Sequence, residues 1–401
     1  MELIVALLSI VFFAIARKNL PQAILILIAL LPAYLLRATY FSIPTTLLEL
    51  MIVSILIVSF KKLDPQYFPD KKILYAILAI IITSTIGIFT SSNTSAAFGI
   101  WKAYFIEPIL LFFVIQNLIS SKKLYTEKIF KALGYSAMFI SVIAIIQWLT
   151  ESGIPAPWDI ELRATSVFNY PNAVGLYLGP IATIAALKLF QKKSLFWLNV
   201  LFFSSSAIIL AQSEAAVIAV LGSIFVFTLF KKPLRKYSIP AAIIIFAAIV
   251  LIPTIKEPVI SKITLQDYSG QVRLSQWSET FEMLKTKPFF GAGLSGYQEA
   301  LKPHHKSTHY EIFQYPHNIF LNTLSEIGIF GLLSFIALIV LVLQIIKHDE
   351  NKLITQKHIA AFALLEMFIH GLVDVPYFKN DLSVITWILF AIICVNNYER
   401  K

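Results

Sequence analysis

The strongest constraint on this chain is a succession of long apolar runs separated by short charged or turn-forming segments. A helix that crosses a bilayer needs about 20 apolar residues, and roughly 17 to 25 are tolerated. Thirteen runs are candidates, approximately Glu2–Ala16, Leu20–Leu36, Ile43–Phe60, Ile73–Thr90, Ile100–Ile119, Ile129–Leu149, Asn172–Phe190, Leu195–Ala211, Glu214–Phe230, Ile239–Ile255, His317–Ile346, His358–Tyr377 and Leu382–Val395. They predict an all-α integral membrane protein, a polytopic bundle of 12–13 transmembrane helices with a long, partly helical outer loop.

The composition excludes the other broad classes of protein. Hydrophobic residues make up 58% of the chain and charged residues 14%, whereas soluble domains carry about 25% charged residues. A chain this apolar is not disordered. Its single cysteine, Cys394, excludes a disulfide scaffold.

The first run, Glu2–Ala16, is the shortest of the early candidates, so the number of spans is twelve or thirteen. It lacks the basic segment that begins a signal peptide, and Arg17 and Lys18 follow it. This pattern predicts a membrane anchor with its N-terminus outside.

The basic residues predict the orientation of the whole bundle. If the loop after the first run is cytoplasmic, twenty of the 33 lysines and arginines fall in inner loops or at the C-terminal end, as the positive-inside rule requires. The C-terminus is then cytoplasmic. The net charge of +10 is therefore a topological signal, with contacts to anionic lipid, and we expect no nucleic-acid partner.

The same orientation divides the chain into three parts. Residues 1–255 form an N-terminal transmembrane bundle, residues 256–316 a periplasmic or extracellular loop, and residues 317–401 the C-terminal transmembrane helices. An outer loop of about sixty residues is long enough to need a function, because structureless loops beyond about 15 residues are uncommon.

The middle of this loop has helical periodicity. In the range 271–287, apolar residues recur at helical spacing at Leu274, Trp277, Phe281 and Leu284, which predicts an amphipathic helix on the membrane surface. Pro288 ends it, and a second short helix is expected around residues 295–301. The intervening glycine pair, at residues 291 and 293, predicts a turn, because neither a preceding strand nor a lysine-serine pair marks a phosphate-binding loop.

The end of the loop contains His304, His305, His309 and His317. A cluster of histidines can indicate a zinc site, but these spacings fit neither HExxH nor a paired-ligand ribbon. The acidic pair Asp159 and Glu161 in another outer loop could bind a metal or simply be solvated. We predict no metal and no cofactor.

Several ionisable residues lie within the apolar runs, where a charge at the bilayer centre costs on the order of 3 kcal/mol. Glu366, His370 and Asp374 are spaced by four, so we expect them to share one helix face. The full set predicts either a polar cavity open to the outside or structural pairing between helices: Glu49, Glu107, Glu214, Glu326, Glu366, His370 and Asp374.

The order of these features resembles a known family. Arg273-Leu-Ser-Gln-Trp277 is followed by Pro288-Phe-Phe-Gly291-Ala-Gly293, then His317-Asn318, then Glu326-Ile-Gly328-Ile-Phe-Gly331-Leu332. This series is similar to the O-antigen ligase and O-antigen polymerase superfamily of bacterial membrane glycosyltransferases. The matching stretch is 273–332, with weaker support from 163–175, 213–221 and 370–374.

The resemblance implies transfer of a glycan from an undecaprenyl diphosphate carrier to an acceptor hydroxyl at the outer face of the bacterial inner membrane. It implies that His317 is the general base and that Arg273 stabilises the leaving diphosphate. Residues implied in binding the diphosphate or glycan are Arg163, Lys102, Trp277, Asn318, Glu214, Glu326 and Asp374. The implied partners are the lipid-linked donor, a glycan, lipid A core or other hydroxyl acceptor, and membrane lipids.

One departure from the family pattern concerns the diphosphate site. A basic residue often follows the serine that corresponds to Ser213, but Glu214 stands here. Either another cation such as Arg163 or Lys102 completes the site, or the donor and acceptor differ from those of the familiar ligases.

Several functions remain open at this point. Ligase, polysaccharide polymerase and protein O-glycosyltransferase share the same chemistry. A lipid-linked glycan flippase or other transporter would also need a polar cavity, but no inverted repeat is visible in the sequence.

Overall fold

The computed structural model describes residues 1–40, 43–251, 257, 260–262, 264–306, 310–348 and 354–395. The helices in chain order are α1 Glu2–Lys18, α2 Leu20–Ala29, α3 Leu47–Ser59, α4 Lys71–Phe89, α5 Thr94–Ile100, α6 Glu107–Ser120, α7 Thr126–Thr150, α8 Pro171–Gln191, α9 Leu195–Leu210, α10 Glu214–Phe230, α11 Lys232–Leu251, α12 Tyr268–Thr286, α13 Tyr297–Leu301, α14 Ile319–His348, α15 Gln356–His370 and α16 Asn380–Ile393. A π-helical segment, Trp101–Ile106, joins α5 to α6.

The predicted fold class is confirmed, because the chain is an all-α polytopic membrane protein. Among the described residues, five helices are long and apolar enough to cross a membrane: Lys71–Phe89, Thr94–Ser120, Thr126–Thr150, Pro171–Gln191 and Ile319–Gln344. Shorter apolar helices add to the bundle: Leu20–Ala29, Leu47–Ser59, Leu195–Leu210, Glu214–Phe230 and Asn380–Ile393.

Helix α8 lies at the centre of the bundle and is almost wholly buried. Two glycines allow its neighbours to come close. A Cβ atom at Gly175 would lie 2.1 Å from the Ser213 hydroxyl, and one at Gly179 would lie 2.2 Å from the Glu366 carboxylate. Small residues at such contacts let the backbones of membrane helices approach each other.

The second and third apolar runs are interrupted by non-helical structure. After α2 the chain forms a short 3₁₀ helix, Leu31–Leu35, and then an antiparallel hairpin of β1 Arg37–Tyr40 and β2 Ile43–Thr46. Thr46 then begins α3 with a capping box to Glu49, in which each side chain bonds the other's backbone amide.

The prediction that Glu366, His370 and Asp374 share a helix face is wrong for Asp374. Helix α15 ends at His370, and the next residues form turns up to Lys379. Apolar residues continue past the end of the helix, because the loop that follows it is itself largely buried in the protein. Hydropathy alone could not mark the end of the helix.

Both predicted helices of the outer loop are confirmed as α12 and α13. The predicted apolar stripe on α12 is divided between two faces. Leu284 is buried against Tyr297 and Leu301. Leu274 and Phe281 point away from that small core and are 45% and 53% exposed.

The predicted turn around the glycine pair is also confirmed, and it fits into a break in α14. Gly291 and Gly293 have positive φ angles of 65° and 82°, which glycine adopts without strain. Helix α14 is broken at Gly328, where φ is 73° and ψ is −175°. The Ala292 amide donates to the Ser325 carbonyl at 2.6 Å, and the Ile329 amide donates to the Phe289 carbonyl at 3.1 Å.

We expect Gly328→Ala to destabilise the protein. Backbone angles of this kind cost about 1–3 kcal/mol for other residues, and the new Cβ would lie 2.1 Å from the Phe289 carbonyl oxygen. The midpoint of thermal unfolding in detergent should therefore fall. Gly99→Ala is the matched control, because a Cβ there meets no atom within 4 Å. Equal midpoints for both variants would contradict the assigned break.

Candidate functional site

The candidate site is built on the loop between α15 and α16, residues 371–379. Three consecutive backbone carbonyls of this loop each bind a different part of the site. The Gly371 carbonyl accepts from the Ile319 amide at 2.7 Å, and the Leu372 carbonyl accepts from Asn318 Nδ2 at 2.9 Å. The Val373 carbonyl accepts from Arg273 Nε at 3.1 Å. The 371–379 loop therefore brings Arg273 of α12 to the start of α14.

His317 lies immediately before α14, beside Asp374 of the 371–379 loop. Its Nδ1 is 3.6 Å from Asp374 Oδ1, which is an electrostatic contact but too long for a hydrogen bond. The rings of Phe313 and Tyr315 lie edge-on to the imidazole, with centroids 5.2 and 5.1 Å away. Nδ1 is buried and has no hydrogen-bond partner among the described residues, so the other ring nitrogen, Nε2, is the one that could bind a substrate.

The backbone at His317 has a φ of 45°. A positive φ is uncommon outside glycine, and such conformations cluster at functional sites. The helix cap is supplied by the next residue, since Asn318 Oδ1 accepts from the amides of Phe320 and Leu321 at 3.0 Å each. His317 therefore does not cap α14.

Asp374 is buried, and its carboxylate faces two imidazoles. Burial alone would raise its pKa. The neighbouring imidazoles of His317 and His370, together with the Val375 amide, outweigh that effect and lower the pKa from 3.8 to about 2. The carboxylate is therefore charged at neutral pH, and it stabilises a protonated His317.

Arg273 projects from the first turns of α12. Besides its bond to the 371–379 loop, its Nη1 donates to Ser269 Oγ at 3.0 Å. One turn later, Trp277 Nε1 donates to the Pro316 carbonyl at 2.7 Å, and Gln276 Nε2 donates to the Tyr315 carbonyl at 3.0 Å. These bonds fix α12 against the segment that ends at His317. Arg273, Trp277, His317, Asn318 and Asp374 are thus brought together.

Arg163 lies in a separate part of the protein. Its guanidinium bonds Asn172 Oδ1 and the Ala211 carbonyl, both at 3.3 Å, and lies 3.8 Å from Glu161. The guanidinium carbon also lies over the Trp158 ring, 5.1 Å from the ring centroid. These contacts tie the loop after α7 to the turn between α9 and α10.

Two other predicted residues, Lys102 and Glu214, also have partners away from His317. Lys102 lies 3.1 Å from Glu49 and 3.9 Å from Glu107. Glu214 is exposed and pairs with Lys262. The partner of Glu214 thus comes from the loop that follows α11.

Glu326 has a structural contact. Its Oε2 accepts from the Ser295 amide at 2.9 Å, so it anchors the glycine turn to α14. The structure does not bring Glu326 into contact with His317 within the described residues.

Glu366 and His370 form a buried pair one turn before the 371–379 loop. Glu366 Oε1 is 3.5 Å from His370 Nδ1, and both side chains are almost fully inaccessible. Neither side chain makes a hydrogen bond of normal geometry to another described residue. His370 also contributes to the low pKa of Asp374.

Three further residues near the site were not predicted. The hydroxyls of Tyr170 and Tyr315 are 3.3 Å apart. Lys379 Nζ lies 4.3 Å from the Tyr170 ring centroid and 5.5 Å from that of Phe168. Tyr315 could have been suspected, because it is two residues before His317. No local motif marks Tyr170 or Lys379, whose contact depends on the packing of distant segments.

The described residues contain no group of three or more histidine, cysteine, aspartate or glutamate side chains arranged to bind a metal. His305 Nδ1 instead bonds Glu279 at 2.9 Å. His309 lies outside the described residues.

The fold and this site describe a polytopic membrane protein with a polar site between its outer loop and its last helices. Residues 199–336 match the family model for O-antigen ligase, which covers 138 of the 401 residues. The resemblance found in the sequence is confirmed, and the chain is O-antigen ligase-like over this region. The match indicates a membrane enzyme of the O-antigen ligase or polymerase type. A search of curated proteins finds no match.

The matched region contains Glu214, Arg273, Trp277, His317, Asn318 and Glu326. It ends before Asp374, which the fold brings to His317. The site therefore combines residues inside and outside the matched segment.

Proposed function

We propose that this protein transfers a glycan from an undecaprenyl diphosphate carrier to an acceptor hydroxyl, without a metal and with inversion of the anomeric centre. The observation that carries the proposal is the grouping of His317, Asp374 and Arg273 around the 371–379 loop. This grouping offers a base, a charge to stabilise its protonated form, and a fixed cation.

His317 acts as the general base. It takes the proton of the acceptor hydroxyl while that oxygen attacks the anomeric carbon, and the bond from the anomeric carbon to the diphosphate oxygen breaks. The imidazole becomes positively charged, and the Asp374 carboxylate 3.6 Å away stabilises it. Direct attack from the opposite side inverts the configuration.

Arg273 stabilises the leaving diphosphate. A guanidinium keeps its charge at all relevant pH values and presents paired donors to phosphate oxygens. Two of its nitrogens are fixed by Val373 and Ser269, and it has no carboxylate partner among the described residues. Its charge is thus preorganised for the developing negative charge.

The other predicted residues have graded roles in this proposal. Trp277 and Asn318 position the two sides of the site through their bonds to Pro316 and Leu372. Four predicted residues already have intramolecular partners: Arg163, Lys102, Glu214 and Glu326. In this proposal they would contact the donor or the acceptor only at the edge of the site.

The proposal places the site at the periplasmic or extracellular face of the bacterial inner membrane, with the C-terminus in the cytoplasm. The support is the distribution of basic residues. The donor is an undecaprenyl-diphosphate-linked glycan, and the acceptor is a glycan, a lipid A core or another hydroxyl compound.

Reconstitution distinguishes this enzyme from a lipid-linked glycan flippase. Purified protein in vesicles should join the glycan to an added hydroxyl acceptor and release undecaprenyl diphosphate. A flippase would move intact lipid-linked glycan across the vesicle membrane and release no carrier. Transport without carrier release would reject the proposed function.

A further inference from the structure

The transfer reaction needs more than one positive group, because a diphosphate leaving group carries several negative charges. The two cations that the sequence offered already have partners. Lys102 contacts Glu49 and Glu107, and Arg163 contacts Glu161 and Asn172. A second cation for the donor must therefore be sought elsewhere around the 371–379 loop.

Lys379 ends this loop and lies against two aromatic rings. Its ammonium lies over Tyr170 and Phe168 and has no hydrogen bond or ion pair to any described residue. Asp374 and Asp381 act on it only at longer range. Lys379 is partly buried, so its ammonium loses part of its hydration without gaining a partner, and a bound anion would offset that cost.

Lys379 is connected to the catalytic group through two tyrosines. Its ammonium is 4.3 Å from the Tyr170 ring, and the Tyr170 hydroxyl lies 3.3 Å from that of Tyr315. The Tyr315 ring is in turn next to His317. Lys379 is thus the last residue of the loop that carries Asp374, and Arg273 bonds Val373 near the start of the same loop.

The residues beside Lys379 are largely apolar. Tyr377 and Phe378, just before it, pack with Phe105 and with Trp387 of α16 around a gap of about 20 Å³. A gap of this size is too small for a hydrocarbon chain, so the lipid part of a bound prenyl diphosphate would lie outside this cluster.

We propose that Lys379 is the second cation of the donor site and binds the diphosphate of the lipid-linked donor, with Arg273 on the other side. This assignment rests on the proposed function. Burial lowers the pKa of the Lys379 amine, although the nearby carboxylates of Asp381 and Asp374 act in the opposite direction. The amine should therefore be more reactive than an exposed lysine near neutral pH.

Binding of undecaprenyl diphosphate, without a glycan, to the full-length protein tests the assignment. Lys379→Met keeps the length of the side chain and removes its charge, so affinity should fall roughly 10-fold or more. Lys379→Arg should retain most of the affinity. Lys302→Met is the matched control, because Lys302 is exposed and pairs with Glu299. Equal affinity of Lys379→Met and wild-type protein would overturn the assignment.

A measurement on the wild-type protein covers the case in which Lys379→Met does not accumulate. Lys379 should be acylated by an amine reagent at neutral pH, and undecaprenyl diphosphate should protect it. Undecaprenol, which has the same chain without phosphates, should not protect. Equal protection by both lipids, or by neither, would overturn the assignment.

The two proposals fail in different ways. Charge-dependent binding at Lys379 without any glycan transfer would reject the proposed function alone. Normal transfer with unchanged donor binding in Lys379→Met would reject the role of Lys379 alone.

Discussion

Replacement of His317 by alanine is expected to slow glycan transfer by about 100-fold to 10,000-fold, the usual effect of removing a positioned acid-base group. Binding of the lipid-linked donor should change little, because Arg273 holds its diphosphate. The measurement is the transfer rate at saturating donor, together with the donor affinity of the same preparation.

His317→Asn separates catalysis from backbone geometry. The φ of 45° at this position is tolerated by asparagine better than by most residues, but asparagine does not accept a proton near neutral pH. We therefore expect the asparagine variant to fold normally and to remain inactive. An active His317→Asn enzyme would assign the base to another residue.

Arg273→Lys is expected to lower transfer roughly 100-fold, comparable to the loss of one preorganised donor in a transition-state site. Lysine keeps the charge but loses the planar fork, two nitrogens of which are bonded to Val373 and Ser269. The decrease should appear in turnover while the protein still accumulates in the membrane.

The control for this variant is Lys285→Ala. Lys285 is on the same helix, is 70% exposed and pairs with Glu282, so its removal should leave transfer unchanged. A loss of protein without a loss of specific activity in Arg273→Lys would indicate that Arg273 only anchors α12 to the 371–379 loop.

Much of this fold was predictable from the sequence, because the requirement for about 20 apolar residues per membrane span is strong and local. The presence of helix α12 and the turn at the glycine pair were also predictable from local signals, although the single apolar stripe expected on α12 was not observed. The end of α15 at His370 could not be predicted, because the apolar run continues beyond it.

The site was predictable only in part. Arg273, Trp277 and His317 occur in an ordered motif series, and the fold brings them together. Asp374 was singled out as an ionisable residue in an apolar run, but its position beside His317 depends on the loop that follows α15. No sequence pattern marked Lys379 as a site residue, because the aromatic residues that it contacts are far away in the chain.

The ion pair of Glu214 is a second feature that the sequence could not predict. The sequence has an acidic residue where the family pattern has a basic one. Arg163 and Lys102 were the cations that could replace that basic residue. The structure pairs Glu214 with Lys262, a residue of the outer loop that no local pattern connects to it. Such charge pairs depend on tertiary packing.

The central claim is direct attack by a hydroxyl activated by His317, without a covalent intermediate or a metal. Its most direct test is the anomeric configuration of the product, determined by NMR after transfer by purified protein in the presence of a metal chelator. We predict one undecaprenyl diphosphate released per glycosidic bond formed, and an inverted anomeric centre. A product with retained configuration, or a reaction abolished by the chelator, would contradict the account.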